Sequence, residues 1–168
     1  MAQSQDSKSL HDTIGLVFST PPRVVIVHTE WNDAIVRELK NGCESSIHKF
    51  GGEIIDVISV PGAFELPFGC RMIWNHLEKS DEKPEAIIAF GAVIRGGTPH
   101  FEYVSKAVTD GIVQLNLMLP VPTIFGVLTL DTVEQAWERL GGAHGHKGEE
   151  AGLTALKMIA LHRKKVAL

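Results

Sequence analysis

Ala86-Ile-Ile-Ala-Phe-Gly-Ala-Val93, running straight into Ile94-Arg-Gly-Gly-Thr-Pro-His100, is the stretch on which the fold of this 168-residue chain turns. Eight residues without a polar side chain leave no wet face, so the segment reads as a strand covered on both sides, as in parallel sheets. The run then stops at glycines, a hydroxyl, a proline and a histidine. Gly96 and Gly97 can adopt backbone angles closed to other residues and let main-chain N–H groups approach a ligand. Thr98 adds a hydroxyl, and His100 adds a group that titrates near neutrality. Two readings stand side by side: a loop that binds an anion and moves a proton, or a plain strand-to-helix turn with a histidine at the helix start.

The same rhythm extends on both sides. Val24 to His28 reads as a buried strand, and Asn32 is placed to cap a helix whose stripe is Ile35, Leu39, Cys43 and Ile47. Gly51-Gly52 ends that helix, Ile54 to Val60 is the next strand, and Pro61-Gly62 turns into a helix striped by Leu66, Cys70, Ile73 and Leu77. Pro67 falls in its first turn, where a missing N–H costs nothing. Beyond the histidine loop a helix carries Val104, Val108, Ile112, Leu115 and Leu119, and Thr123 to Leu128 forms a fourth strand. Thr132 with Gln135 has the spacing of a capping box for a short helix to Arg139, and after the glycines of 141–148 a last helix runs from about Glu149 to Arg163. Strand and helix alternate four times, which predicts an α/β fold: a three-layer αβα sandwich around a four-stranded parallel sheet. Residues 1–12 read as a flexible leader and 13–168 as a single domain. Pro21-Pro22 cuts off Ile14-Gly-Leu-Val-Phe18, an arm suited to adding a strand to a neighbouring subunit.

Sixteen basic residues face twenty acidic ones, a net charge of −4, and no segment gathers Lys and Arg into a stripe, so neither a nucleic acid nor a membrane surface is an expected partner. Arg163-Lys164-Lys165 sits at the end of the last helix, where cations favour the dipole. Cys43 and Cys70 both lie on apolar stripes and read as core thiols of a reducing compartment. The N-terminal residues have no signal-peptide core and no run reaches membrane-spanning length, which makes a cytoplasmic location the default. The eight histidines are scattered; only His144-Gly-His146 is close-spaced, without the companions of a metal site, so no metal is expected.

In an open parallel sheet, ligands bind beyond the carboxyl ends of the strands where strand order reverses. Three such ends are unusual here: Thr29-Glu30-Trp31-Asn32, Pro61-Gly62-Ala63-Phe64-Glu65, and Arg95 to His100. Trp31 and Phe64 lie off the core stripes, which suits stacking on a flat ring or simple capping of the core. Glu65 suits either a ligand's hydroxyls or a helix start. Seven residues intervene between Arg139 and Lys147, a phosphate clamp or a pair of surface cations. There is no Walker A pattern and no Gly-x-Gly-x-x-Gly after the first strand.

Taken together, Val60-Pro-Gly-Ala-Phe-Glu-Leu-Pro67, Gly91 to Phe101, Phe125-Gly-Val-Leu-Thr129, Glu134-Gln-Ala136 and Arg139 through Lys147-Gly148 resemble the lumazine synthase family over about residues 14–162. The resemblance implies a flavodoxin-like fold and the condensation of 5-amino-6-ribitylaminouracil with 3,4-dihydroxy-2-butanone 4-phosphate to 6,7-dimethyl-8-ribityllumazine and phosphate, a step of riboflavin biosynthesis needing no cofactor. It implies that Trp31, with Asn32 beside it, covers the pyrimidine ring and that Ala63, Phe64 and Glu65 hold the ribityl chain. It further implies that Val93 and Ile94 line the ring pocket and that Gly96, Gly97 and Thr98 bind phosphate. His100 matches the proton-transfer group, while Phe125, Arg139 and Lys147 match residues contributed by a neighbouring subunit. Self-association into pentamers follows from the same resemblance, with a sixty-subunit shell favoured by the short loop after Arg139 and riboflavin synthase as a candidate partner.

Three positions depart from the family pattern. Gly97 stands where Glu, Asp, Ser or Ala is frequent, Ala143 where a second lysine is, and His146 where Asn precedes the Lys-Gly pair. The alternatives to the enzyme are a flavin-binding or shell-forming homologue without catalysis and an FMN-binding electron carrier.

Overall fold

The computed structural model describes residues 8–166. Four strands, β1 (Arg23–Thr29), β2 (Glu53–Val60), β3 (Ala86–Ile94) and β4 (Thr123–Leu130), form an all-parallel sheet in the order β2-β1-β3-β4. The chain moves outward one way from β1 to β2, then returns past β1 to β3 and β4, so strand order reverses between β1 and β3.

Alternate residues of β1 feed two separate cores. Val24 and Ile26 face α2 (Asp33–Lys49) and α6 (Lys147–Val166), meeting Leu39, Ile47 and Leu156. Val25 and Val27 face α3 (Leu66–Leu77) and α4 (His100–Met118), meeting Leu66, Ile73 and Ile112. This is the three-layer sandwich expected from the apolar strands. Cys43 and Cys70 are fully buried, one in each core, and burial pushes both thiols up to about 12, so they pack as inert apolar groups.

Several local expectations are corrected. Asn32 does precede α2, but with φ 60° and no side-chain cap; its amide spans to the end of β3 and donates to the Ala92 carbonyl at 2.8 Å. The Thr132 capping box does not form. The short helix α5 (Glu134–Trp137) starts after Val133, Gln135 Oε1 instead accepts from the Asp131 amide, and the Glu134 amide and Thr132 hydroxyl hold the Glu134 carboxyl below its usual range. The glycines of 141–148 are not an irregular loop: β5 (Leu140–Gly142) and β6 (Gly145–His146) pair as an antiparallel hairpin, with positive φ at Gly141 and Gly145, and α6 begins at Lys147 rather than Glu149. Arg163 forks onto Glu85 at 2.7 and 2.6 Å and reaches the Thr20 and Pro21 carbonyls, so it fastens the segment before β1 rather than merely ending a helix.

Residues 1–7 of the predicted leader lie outside the described residues; α1 (Lys8–His11) lies against α6. Among the described residues, the Ile14–Phe18 segment pairs with no strand. Leu16 and Phe18 pack on the α2/α6 core, whereas Ile14 and Val17 are 94% and 84% exposed.

The α2/α6 contact depends on an absent side chain. A Cβ on Gly148 would fall 2.0 Å from the Leu39 carbonyl oxygen, backbone that has no rotamer to yield. Gly148→Ala is expected to cost about 1–3 kcal/mol, read as a lowered urea midpoint; an unchanged midpoint would show that the helices separate freely.

Candidate active site

The carboxyl ends of β1, β2 and β3 bring three loops together. The Glu30 amide donates to the Val60 carbonyl at 2.9 Å, joining the loop after β1 to the end of β2. The position a Cβ would take on Gly62 lies 3.1 Å from Glu65 Oε2 and 3.7 Å from Trp31 Cδ1, so the tryptophan edge and the carboxylate flank one glycine. Asn32 completes the frame through Ala92: its NH₂ is engaged with the backbone of β3, which sets the Trp31 loop against that strand. Above this frame Trp31 is 73% and Phe64 62% exposed, two aromatic faces open to a flat partner. Ala63 is different. It is buried with the α3/α4 core, so what it offers at the surface is main chain. Val93 and Ile94 are half-buried, one packed on each core.

The loop after β3 is exposed from Arg95 to His100. Neither Gly96 nor Gly97 uses the left-handed backbone open to it, and a Cβ on either would meet nothing within 4 Å. The glycines therefore relieve no strain inside the chain; what they leave bare is the outward face of the loop. His100 is the first residue of α4, a 19-residue helix whose N-terminal amides favour an anion. A tie missed by the sequence reading holds the loop: Arg95 bonds to Glu102 and, at 2.7 Å, to Asp131, stacks over Phe101 at 4.1 Å, and donates its amide to Leu130. Arg95 keeps the Glu102 carboxyl below its usual range. A polar arginine following an apolar strand was a signal for such an anchor, but its partners lie on α4 and after β4.

Phe125, Arg139 and Lys147 line a second place, an open pocket of about 160 Å³ along the edge strand β4. Trp31, Phe64 and His100 do not line it. Phe125 pairs with Ala89 and Leu130 with Ile94, so Phe125 lies five residues before the carboxyl end of its strand, about 16 Å along it. The pocket runs from Phe125 up to Leu130 at the carboxyl end of β4, and its lining is distinct from the three strand-end loops. Arg139 and Lys147 do come together, the Lys147 amide donating to the Arg139 carbonyl at 2.8 Å. Their charges differ in availability. Lys147 Nζ is held by both oxygens of buried Glu150 at 2.6 and 2.8 Å, whereas Arg139 donates from Nη1 to the Gln135 carbonyl and lies 3.9 Å from Glu138. Glu150 was missed although its i,i+3 spacing from Lys147 was visible. His144 and His146 serve different carboxylates, Glu138 at 3.7 Å and Glu38 at 3.4 Å.

A doubly wound parallel α/β sheet whose strand order reverses between β1 and β3, with a cation-bearing pocket on its edge strand, defines a flavodoxin-like domain. The chain matches the family model for 6,7-dimethyl-8-ribityllumazine synthase over residues 21–163 and belongs to that family. It is 42% identical over 161 residues to the 6,7-dimethyl-8-ribityllumazine synthase of Parabacteroides distasonis, covering 95% of this chain and 98% of the relative. It is 46% identical over 136 residues to the protein of that name from Bacteroides fragilis, covering 80% and 92% of the two chains. With the protein of that name from Porphyromonas gingivalis it shares 42% identity over 165 residues, 97% and 99% of the two chains.

Proposed function

We propose that this chain, an enzyme and transferase of riboflavin biosynthesis, condenses 5-amino-6-ribitylaminouracil with 3,4-dihydroxy-2-butanone 4-phosphate, forming 6,7-dimethyl-8-ribityllumazine and releasing phosphate. Family membership across residues 21–163 carries this reading. The site geometry agrees with the chemistry. Joining an amine to a ketone moves protons on and off nitrogen and oxygen near neutral pH, work for the His100 imidazole. Expelling phosphate requires its charge to be held, which suits Arg139 and the amides of Gly96, Gly97 and Thr98. Trp31 and Phe64 give the pyrimidine a stacking surface, Glu65 faces the ribityl hydroxyls, and holding the two reactants together supplies much of the rest. Lys147, already paired with Glu150, acts more as a fixed wall beside Arg139 than as a free charge.

Residues 13–168 act as one domain, and the protein works in the cytoplasm; among the described residues no helix is long and apolar enough to cross a membrane. The active unit is an oligomer built on pentamers, with a sixty-subunit shell as the preferred form and riboflavin synthase as a candidate partner. Support comes from apolar side chains left exposed on α3 and α4, among them Phe68, Met72, Tyr103, Val113 and Leu117, and from the Ile14–Phe18 segment, which pairs with no strand among the described residues and has the exposed residues to pair with a neighbour's sheet edge.

Mixing the protein with both substrates and following the fluorescence of the lumazine product tests the reaction. Product formation supports the enzyme; stoichiometric FMN with no product would favour an electron carrier, and a shell with neither would favour a non-catalytic homologue. Arg139→Ala is expected to raise KM for the butanone phosphate about tenfold or more, with a smaller change in kcat, because the lost group binds phosphate and carries no proton. A rise confined to the pyrimidine KM would show that Arg139 is misassigned.

A further inference from the structure

We propose that His146 is a positioning residue for the Arg139–Lys147 pair: its imidazole, seated on Gly42, caps α6 and grips α2, and so fixes the two cations at the edge-strand pocket. The proposal rests on the assignment of Arg139 to phosphate above.

Three contacts converge on this ring. The Glu149 amide donates to Nδ1 at 3.4 Å, which makes His146 the N-cap of α6 with its bond to the third helical residue, the pattern of an ordinary capping side chain. Nε2 faces Glu38 Oε1 on α2 at 3.4 Å. A Cβ on Gly42 would fall 2.1 Å from Cε1, 2.4 Å from Nδ1 and 2.8 Å from Nε2, so the ring occupies the place of the side chain that Gly42 lacks. It is 12% exposed. One protonation state satisfies both nitrogens: with the proton on Nε2, that nitrogen donates to Glu38 while the Nδ1 lone pair receives Glu149. The opposite tautomer satisfies neither, since Nδ1–H would face an N–H and bare Nε2 a carboxylate.

The ring is joined to the cations through the backbone. His146 pairs with Leu140 in the β5–β6 hairpin; Arg139 directly precedes Leu140, Lys147 directly follows His146, and Lys147 N–H closes onto the Arg139 carbonyl at 2.8 Å. Moving the ring moves the rung of the hairpin that carries both cations. In the sequence His146 stands out only as a departure from a family motif and as half of a close-spaced histidine pair, because neither Gly42 nor Glu38 is near it in the chain.

The test is a double-mutant cycle in the assembled protein, with Gly42→Ala, His146→Ala and both together, read by KM for each substrate, kcat, and the Kd of inorganic phosphate by calorimetry. Gly42→Ala and His146→Ala are each expected to weaken phosphate binding about fivefold, the size of one lost helix cap, and to raise KM for the butanone phosphate alike, with kcat and the pyrimidine KM within about twofold. In the His146→Ala background, Gly42→Ala should cost nothing further, since its methyl enters the vacated space. His146→Asn, which can cap Glu149 without reaching Glu38, should recover part of the affinity. Full additivity of the two substitutions, equal shifts in both KM values, or unchanged phosphate affinity would overturn the proposal. Should a single variant fail to assemble, the double variant, with its space refilled, carries the comparison against wild type. Loss of the phosphate effect in Arg139→Ala itself would instead count against the assignment of Arg139.

Discussion

His100→Ala is expected to slow turnover roughly 10²- to 10⁴-fold, the range for a positioned acid–base group, toward the lower end because an amine and a ketone already react with each other. The histidine begins α4 on an exposed loop, outside both cores, so its loss removes an imidazole without opening a cavity. Substrate binding and assembly should persist, and single-turnover measurements should place the loss in the chemical step. Steady-state kinetics unchanged across about pH 6–8 would remove His100 from the mechanism.

Mixed assemblies of two inactive variants are expected to regain activity. Phe125 lies about 16 Å down an edge strand from the carboxyl-end loops, and the pocket it shares with Arg139 and Lys147 does not include Trp31, Phe64 or His100. The expected arrangement joins both halves across a subunit boundary, the strand-end loops of one chain against the β4 edge of the next. When His100→Ala and Arg139→Ala chains are unfolded together and reassembled in equal amounts, a site is intact only where an Arg139→Ala chain supplies the histidine and a His100→Ala neighbour supplies the arginine. For independent choices around a closed ring, about a quarter of the sites recover. Each variant reassembled alone should stay inactive. Co-assembled particles no more active than their parents would place the whole site within one chain, and a monomer in sedimentation would rule out sharing altogether.

Arg95 shows where legibility in the sequence ended. That it follows a buried strand and opens a glycine loop was plain, but Glu102 and Asp131, which hold it, lie on two other elements. Lys147 repeats the case in a milder form. Its role as a cation near Arg139 was visible, whereas the buried carboxylate that occupies it became evident only once α6 was seen to start at Lys147 and turn Glu150 back over it. Gly96 and Gly97 ran the other way: their lack of a side chain permits unusual backbone and close approach, and the structure uses only the second, leaving open space in front of them.

The sequence by itself determined the four parallel strands, the helix stripes, the buried cysteines, the family and the three strand-end loops, because apolar periodicity, glycine and proline punctuation and short motifs act over a few residues. Tertiary structure alone decided which distant group each polar side chain meets: Asn32 with Ala92, Arg163 with Glu85, His146 with Gly42 and Glu38. It also decided that Phe125 shares a pocket with Arg139 and Lys147 and not with His100. Those outcomes depend on how whole elements pack, and a hydrogen bond or a close approach spanning sixty or a hundred residues leaves no periodic trace in the chain that makes it.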